Sequence, residues 1–450
     1  MQTVPWIFGV AHPTGFPFFT VAAGIFAHAI PFGTAAWRIT FFCAIAMACA
    51  ALFIALLVRE LSGDMIAACL SAWLFAFGNV AWVHGTRAEV HAVAVCLCAA
   101  VLYAMVRWRN GGDDRALVLG GLAFGFGVAT HPIVALLTPA LVVGVLSRRR
   151  NVHAKPLACA ALACLLGVAF YAYLPLRSAM VTAQGLDPAR GLGLLHGNAF
   201  WDFDHPAKLD GLLLLLSGSQ FGAGGTFARM IDPSTYAAAL SPYVTLALRE
   251  GTPFGVLLAL GGLYWLFRRD AWLGATFVLA AALPTAFAFA YTIEADISRY
   301  YLISFVIGAV LAGYGAAAIG RALPQLRLPA TLVLLSLSAT VFAMNRQTFD
   351  QRAATGAQSV IDTARKHSPA DAILIAPWLY ATPLAYGAYA EHTLDRRIVL
   401  AAWLSDVRAF VPQWMRHRPV YIVATVNASI PGYVLRRISG SPDLYQVVRP

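Results

Sequence analysis

The chain has 450 residues, of which 60% are hydrophobic and only 12% charged, and its mean hydropathy is +0.69. Soluble domains carry about 25% charged residues, so most of this chain belongs in lipid. The net charge of +11 does not point to nucleic acid, because the Arg residues sit in short clusters at the ends of apolar runs instead of on one basic face.

Met1 to Val10 has neither a basic n-region nor a small-residue cleavage site and does not read as a signal peptide. A spanning helix needs about 20 mostly apolar residues. Windows of that kind run from Ala36 to Val58, Met65 to Val83, Val90 to Val106, Pro156 to Leu174, Pro253 to Phe267, Trp272 to Tyr291, Tyr301 to Ile319 and Leu328 to Met344. The apolar stretch from Leu117 to Leu146 is broken by Thr130, His131 and Pro132 and reads as two short helices meeting at a turn. The total is about ten spans. All seven cysteines lie inside apolar segments with no CxxC, so they read as small packing residues.

Positively charged loops stay in the cytoplasm. Placing Arg59, Arg107 with Arg109, Arg148 to Arg150, Arg268 with Arg269, and Arg321 with Arg327 on that side lets the spans alternate without contradiction. The outer side then receives ten of the eleven histidines, all but His153. It also receives a long loop from 177 to 250, with Asp187, Asp202, Asp204, Asp210 and Asp232, which reads as a lid or substrate platform. The tail changes character, with short β-type runs at Ala372 to Ala376, Arg397 to Ala401 and Val420 to Val426 between amphipathic stretches such as Leu384 to Glu391. The fold class is therefore an α-helical polytopic membrane protein. Residues 1–345 form its transmembrane domain, and 346–450 a small extramembrane α/β domain.

Five outward-facing segments carry chemistry-bearing side chains. In Ala11-His12-Pro13-Thr14-Gly15, His12 sits on a bent backbone at the interface, as a headgroup contact or an incidental helix entry. Thr86-Arg87-Ala88-Glu89-Val90-His91 marks the mouth of a span. Glu89 there either binds or deprotonates an acceptor while Arg87 neutralises a phosphate, or the two form a capping ion pair. Thr130-His131-Pro132 lies at a helix break of the kind that lines cavities. Tyr173-Leu174-Pro175-Leu176-Arg177 ends a span in an arginine that is either functional or snorkelling in an aromatic belt. Glu294-Ala295-Asp296-Ile297-Ser298-Arg299 is a tight turn that fixes sugar hydroxyls, holds a divalent ion or closes a helix end. P-loop, GxGxxG and HExxH patterns are missing from the sequence, so no nucleotide cofactor or zinc site is expected.

At these residues the chain resembles the bacterial protein O-mannosyltransferase-like transmembrane family of the GT-C superfamily. The resemblance is carried by Gly9-Val-Ala-His-Pro-Thr-Gly-Phe-Pro17, Pro31-Phe32-Gly33, Trp37-Arg38, Ala88-Glu89-Val90, His131-Pro132, Tyr173 to Ser178 and Asp296 to Tyr301. It implies an enzyme of the inner (plasma) membrane that takes a sugar from a polyprenyl-phosphate carrier at the outer face and gives it to a protein, lipid or glycan acceptor. No cofactor is implied, though a divalent metal is left open, and the partners are carrier, acceptor and membrane lipids rather than nucleic acid. Carried over residue by residue, Glu89 is an active-site carboxylate, Arg87 and Arg177 are phosphate ligands, and His12, His131 and Asp296 line the cavity. In such families the Asp that acts as general base precedes the equivalent of Met1, together with one further span. The intact remaining motifs favour a true start upstream, and no base is named within this chain. A transporter and a truncated, non-catalytic scaffold are the rival readings.

Overall fold

The computed structural model describes residues 1–148, 153–193, 198–291, 296–402, 407–423, 430–438 and 444–450. The chain is a polytopic helical membrane protein with a small mixed sheet near its C-terminus. Among the described residues seven helices are long and apolar enough to cross a membrane, or eight if one bent pair counts as a span. They are Ala35–Ser62, Val90–Gly111, Ala154–Ala183, Pro233–Arg269, Ala271–Ala290, Ile297–Ala322 and Pro324–Phe349, with the bent pair Met65–Ala76 and Asn79–Gly85.

The count falls below ten for local reasons. The apolar stretch at 117–146 divides as expected into Asp114–Thr130 and Pro132–Leu146. His131 stands at the break in an extended conformation, and neither half has the length of a span by itself. The window from Met65 to Val83 bends by 69° between Ala76 and Asn79. The expected loop at 177–250 is largely helical, and from Pro233 it is continuous with the span that follows. That helix is interrupted at Thr252, which adopts φ 58° just ahead of Pro253. A residue before proline is disfavoured in the α region, and the proline supplies no amide to close the turn.

Two compact units do not follow chain order. One contains residues 1–39, 172–217 and 351–450, and the other 40–171 and 218–350. In the first unit five strands, β1 (Ile373–Ala376), β2 (Ile398–Ala401), β3 (Val420–Val423), β4 (Val434–Arg437) and β5 (Leu444–Val448), form a sheet in the order β2-β1-β3-β5-β4. The first three are parallel, and β5 runs antiparallel to both β3 and β4. Three of these strands are legible in the sequence. β4 and β5 are not, and Ala424 to Val426 of the third expected run lie outside the described residues.

A segment from the expected outer loop packs on this sheet. Ala189 and Leu192 join the core of Ile373, Ile398, Val420 and Trp414, Trp414 Nε1 donates to the Leu192 carbonyl at 2.7 Å, and Asn198 Nδ2 donates to the Val399 carbonyl at 2.9 Å. Burying polar groups costs free energy unless they are paired, so these bonds fix where the segment sits. The sequence reading drew a domain boundary at 345. In the structure residues 1–39 and 172–217 pack with the tail instead.

In the second unit glycines set the spacing of helices. A Cβ at Gly262 would overlap the Leu311 carbonyl of the neighbouring helix, and one at Gly315 would overlap the Leu258 carbonyl in return. Lipid tails supply no hydrophobic drive between helices, so close backbone approach through small residues is what holds such pairs. Gly315→Leu should destabilise the unit by about 1–3 kcal/mol, seen as a lower midpoint in thermal unfolding of detergent-purified protein. An unchanged midpoint would contradict the close packing.

Candidate active site

The helices of the second unit sort their charges to opposite ends. At one end Arg109 pairs with Asp270 at 2.5 Å while Asp270 Oδ1 also caps its own helix through Leu273 N. Arg107 meets Glu60 and Asp113, and Arg269 and Arg321 donate to the carbonyls of Leu61 and Ser62. Arg149 and Arg150, expected in the same group, lie outside the described residues.

The other end gathers a different set. Glu89 immediately precedes the helix Val90–Gly111, and its Oε1 accepts from Arg299 Nη1 at 3.1 Å. Its Oε2 lies 3.4 Å from His91 Nδ1. The His91 ring stands 4.6 Å from that of His131 and 4.9 Å from that of Tyr300, centroid to centroid. Asp296 receives Arg87 at 3.5 Å and stands 3.8 Å from His84 Nε2. Ser298 Oγ donates to Asp296 Oδ1 at 2.7 Å and contacts His84 at 3.3 Å. Three segments far apart in sequence, 84–91, the 131 break and 296–300, thus meet at one helix mouth.

Exposure is graded across this network. Arg87 and Asp296 are 54% and 44% exposed, whereas Glu89 and Arg299 are 19% and 18%. An exposed ion pair contributes about 0–1 kcal/mol, so the contact of Arg87 with Asp296 costs little to break. The deeper pair is different, because removing one partner of a buried pair leaves an uncompensated charge at a cost of about 3–5 kcal/mol. Arg87 is the movable cation and Arg299 the fixed one.

Burial alone would raise the pKa of Glu89. The hydrogen bond and charge of His91, with the charge of Arg299, outweigh burial and hold its carboxyl well below the usual carboxylate range. A general base works best with a pKa near the operating pH. His91 and Arg299 thus favour the carboxylate form of Glu89.

His12 and Arg177 belong to the first unit. His12 sits edge-on among Phe16, Phe203 and Trp378, with centroids 5.1, 6.5 and 5.7 Å away. Arg177 Nε donates to the Phe8 carbonyl at 2.5 Å and Nη2 to the Ile7 carbonyl at 3.0 Å. Both carbonyls lie at the C-terminal end of the short helix Thr3–Ile7, and Tyr173 joins through the Phe8 and Gly9 carbonyls. Arg177 is thus occupied as a helix C-cap, a different employment from the phosphate ligand that the sequence suggests. In the same unit His205 Nδ1 contacts Asp202, whose pKa burial raises and whose contacts with Ser178 and His205 partly restore.

Of the six residues singled out by sequence, Arg87, Glu89, His131 and Asp296 come together. His84, His91 and Arg299 join them without having been chosen. Their signal was present, since all three flank the chosen residues in the same motifs. Glu294 lies outside the described residues, and among those described no three His, Cys, Asp or Glu side chains gather as a metal-ligand set.

The fold is GT-C-like. The structure of ArnT from Cupriavidus metallidurans bound to undecaprenyl phosphate superposes with a TM-score of 0.57, covering 98% of this chain and 88% of that one at 12% identity. The archaeal oligosaccharyltransferase AglB from Archaeoglobus fulgidus, in complex with an inhibitory peptide and a dolichol-phosphate, superposes with a TM-score of 0.51, covering 94% and 64% at 14% identity.

The sequence is more specific. Residues 2–154 match the protein O-mannosyl-transferase TMEM260 N-terminal domain, a span that includes His12, Arg87, Glu89 and His131. The mouse protein O-mannosyl-transferase TMEM260 is 25% identical over 451 residues, covering 91% of this chain and 60% of its own length. The Dictyostelium discoideum protein of the same name is 36% identical over 151 residues, covering 29% and 18%. The chain therefore spans less than two thirds of these curated relatives.

The depressed pKa makes a test by pH. A lowered carboxylate stabilises the fold above its unfolded pKa of about 4.3, and that stability is lost as pH falls through the folded value. The stability difference between the native protein and Glu89→Gln should stay constant from pH 7 to about 5 and shrink only in more acid solution. A difference that fades already between pH 7 and 6 would show that Glu89 titrates near neutrality.

Proposed function

We propose that this chain is the membrane core of a protein O-mannosyltransferase, which moves mannose from a polyprenyl-phosphate carrier to a hydroxyl of an acceptor protein at the extracytoplasmic face. One observation carries the reading: Arg87, Glu89, His131, Asp296 and Arg299 converge at the helix end opposite the basic clusters. Positive-inside sorting places that end outside the cytoplasm. The match to the O-mannosyl-transferase domain over 2–154 and the GT-C-like fold support it. So do the mannosyl-transferase names of the relatives and the lipid phosphates in the two solved structures.

In this reading the acceptor oxygen forms a bond to the anomeric carbon as the bond from that carbon to the carrier phosphate breaks, and the polyprenyl phosphate departs with the bonding electron pair. Negative charge grows on the leaving phosphate, where cationic donors act most strongly in a water-poor site. Arg87 swings from Asp296 to that phosphate. Glu89 and His91 hold Arg299 and the rings of His131 and Tyr300 as a fixed wall against the sugar. The acceptor hydroxyl's proton passes to an oxygen of the departing polyprenyl phosphate, which leaves as the protonated monoanion. Polar groups at one helix end favour an interfacial enzyme over a transporter, whose binding residues lie near the midplane.

Arg87→Ala should lower mannosyl transfer from polyprenyl-phosphate mannose by about 100-fold or more, the usual scale for removing a charged transition-state contact. Expression, insertion and monodispersity should be unchanged, because the residue is half exposed. Proteoliposomes with radiolabelled donor and the native acceptor proteins provide the assay. Full activity in Arg87→Ala would exclude this site, and label entering lipid or glycan alone would exclude protein as the acceptor.

A further inference from the structure

The second unit contains a cavity of about 340 Å³ that the site above does not use. It is lined mainly by apolar side chains of Met65–Ala76, Pro233–Arg269 and Ile297–Ala322. That volume lies at the small end of the roughly 300–1,000 Å³ range for ligand pockets. Its rim residues Val244, Leu248 and Leu260 are exposed on a helix long enough to span the membrane, so the opening faces the lipid chains. Gly308 borders it with open space where a side chain would be.

One ionisable group faces this apolar space. Glu250 is 7% exposed. Its Oε2 accepts from Val80 N at 3.1 Å, while Oε1 has no hydrogen-bond partner among the described residues. No Lys, Arg or His of the described residues forms an ion pair with it. The neighbouring Arg249 is exposed and acts on it only as a nearby charge. A buried acceptor without a donor costs about 1–3 kcal/mol, more for a charged group, and ionisable residues at membrane depth are rare unless they have a role. A second polar pair lines the same space, with the Tyr243 hydroxyl donating to Ser304 Oγ at 3.1 Å.

We propose that this cavity is a binding site for a single hydrocarbon chain whose head donates hydrogen bonds, a long-chain alcohol or amine, with the head on Glu250 Oε1 and the chain along the apolar lining. The carboxylate makes a phosphate head the wrong partner, so this site is chemically distinct from the phosphate contact proposed for Arg87. It stands independently of the glycosyl-transfer reading. A ligand here would also secure the carboxylate that tethers the start of Asn79–Gly85, the short helix that carries His84.

The test uses the whole purified protein in detergent with three photoreactive twelve-carbon probes bearing an alcohol, an amine or a phosphate head, and maps adducts by peptide mass spectrometry. The alcohol or amine should label segments 243–256 and 304–312 saturably, at least about tenfold better than the phosphate, as expected for one hydrogen bond to a charged group. Preference for the amine over the alcohol would identify an ammonium head, and equal labelling a hydroxyl donor. Gly308→Leu, which fills the open space without touching Glu250, should abolish labelling in a protein that still elutes as a single species. Glu250→Gln should reduce labelling by the amine by about tenfold. Labelling by the phosphate equal to the others, none that saturates in these segments, or labelling indifferent to both substitutions would each overturn the proposal.

Discussion

The ion pair between Glu89 and Arg299 is the interaction on which the arrangement of the site depends. It closes a sequence separation of 210 residues at 3.1 Å and ties the start of Val90–Gly111 to the turn entering the helix Leu302–Ala322. Neither side chain is well solvated, so each is the condition for burying the other. The same carboxylate orients His91, whose ring carries the contacts to His131 and Tyr300. Arg87 and Asp296 lie outside this locked layer, exposed and weakly paired.

This division of labour separates positioning from chemistry. A carboxylate held far below its ordinary pKa keeps a cation and an aromatic wall in place but is a poor proton acceptor. The sequence alone could not make the distinction, because Glu89 reads equally as base, ligand or cap. Arg177 illustrates the opposite case. Its position at an outer span end suggested a phosphate contact, and the structure gives two of its donors to the end of the helix Thr3–Ile7.

The spans were legible because lipid demands long apolar runs, and the break at His131 was legible because proline announces it. The bend after Ala76 was not, since only Gly78 marks it and its partner, Glu250, lies 170 residues away. The first part of the helix Pro233–Arg269, up to Glu250, reads as loop because Ser234, Thr235, Ser241, Thr245 and Arg249 interrupt it. The grouping of residues 1–39 and 172–217 with the C-terminal sheet depends on contacts such as that of Trp414 with Leu192, which no local pattern records. For the site, four of the six residues chosen from the motifs do meet. Which charge faces which required the fold.

A double-mutant cycle on Glu89→Gln and Arg299→Gln, with stability measured by chemical unfolding of the purified protein near neutral pH, tests the central claim most directly. A coupling of at least about 1 kcal/mol, within the range for residues in direct contact, is the predicted result, with the double variant less destabilised than the sum of the single ones. Additive effects, with coupling near zero, would contradict the view that this pair holds the site together.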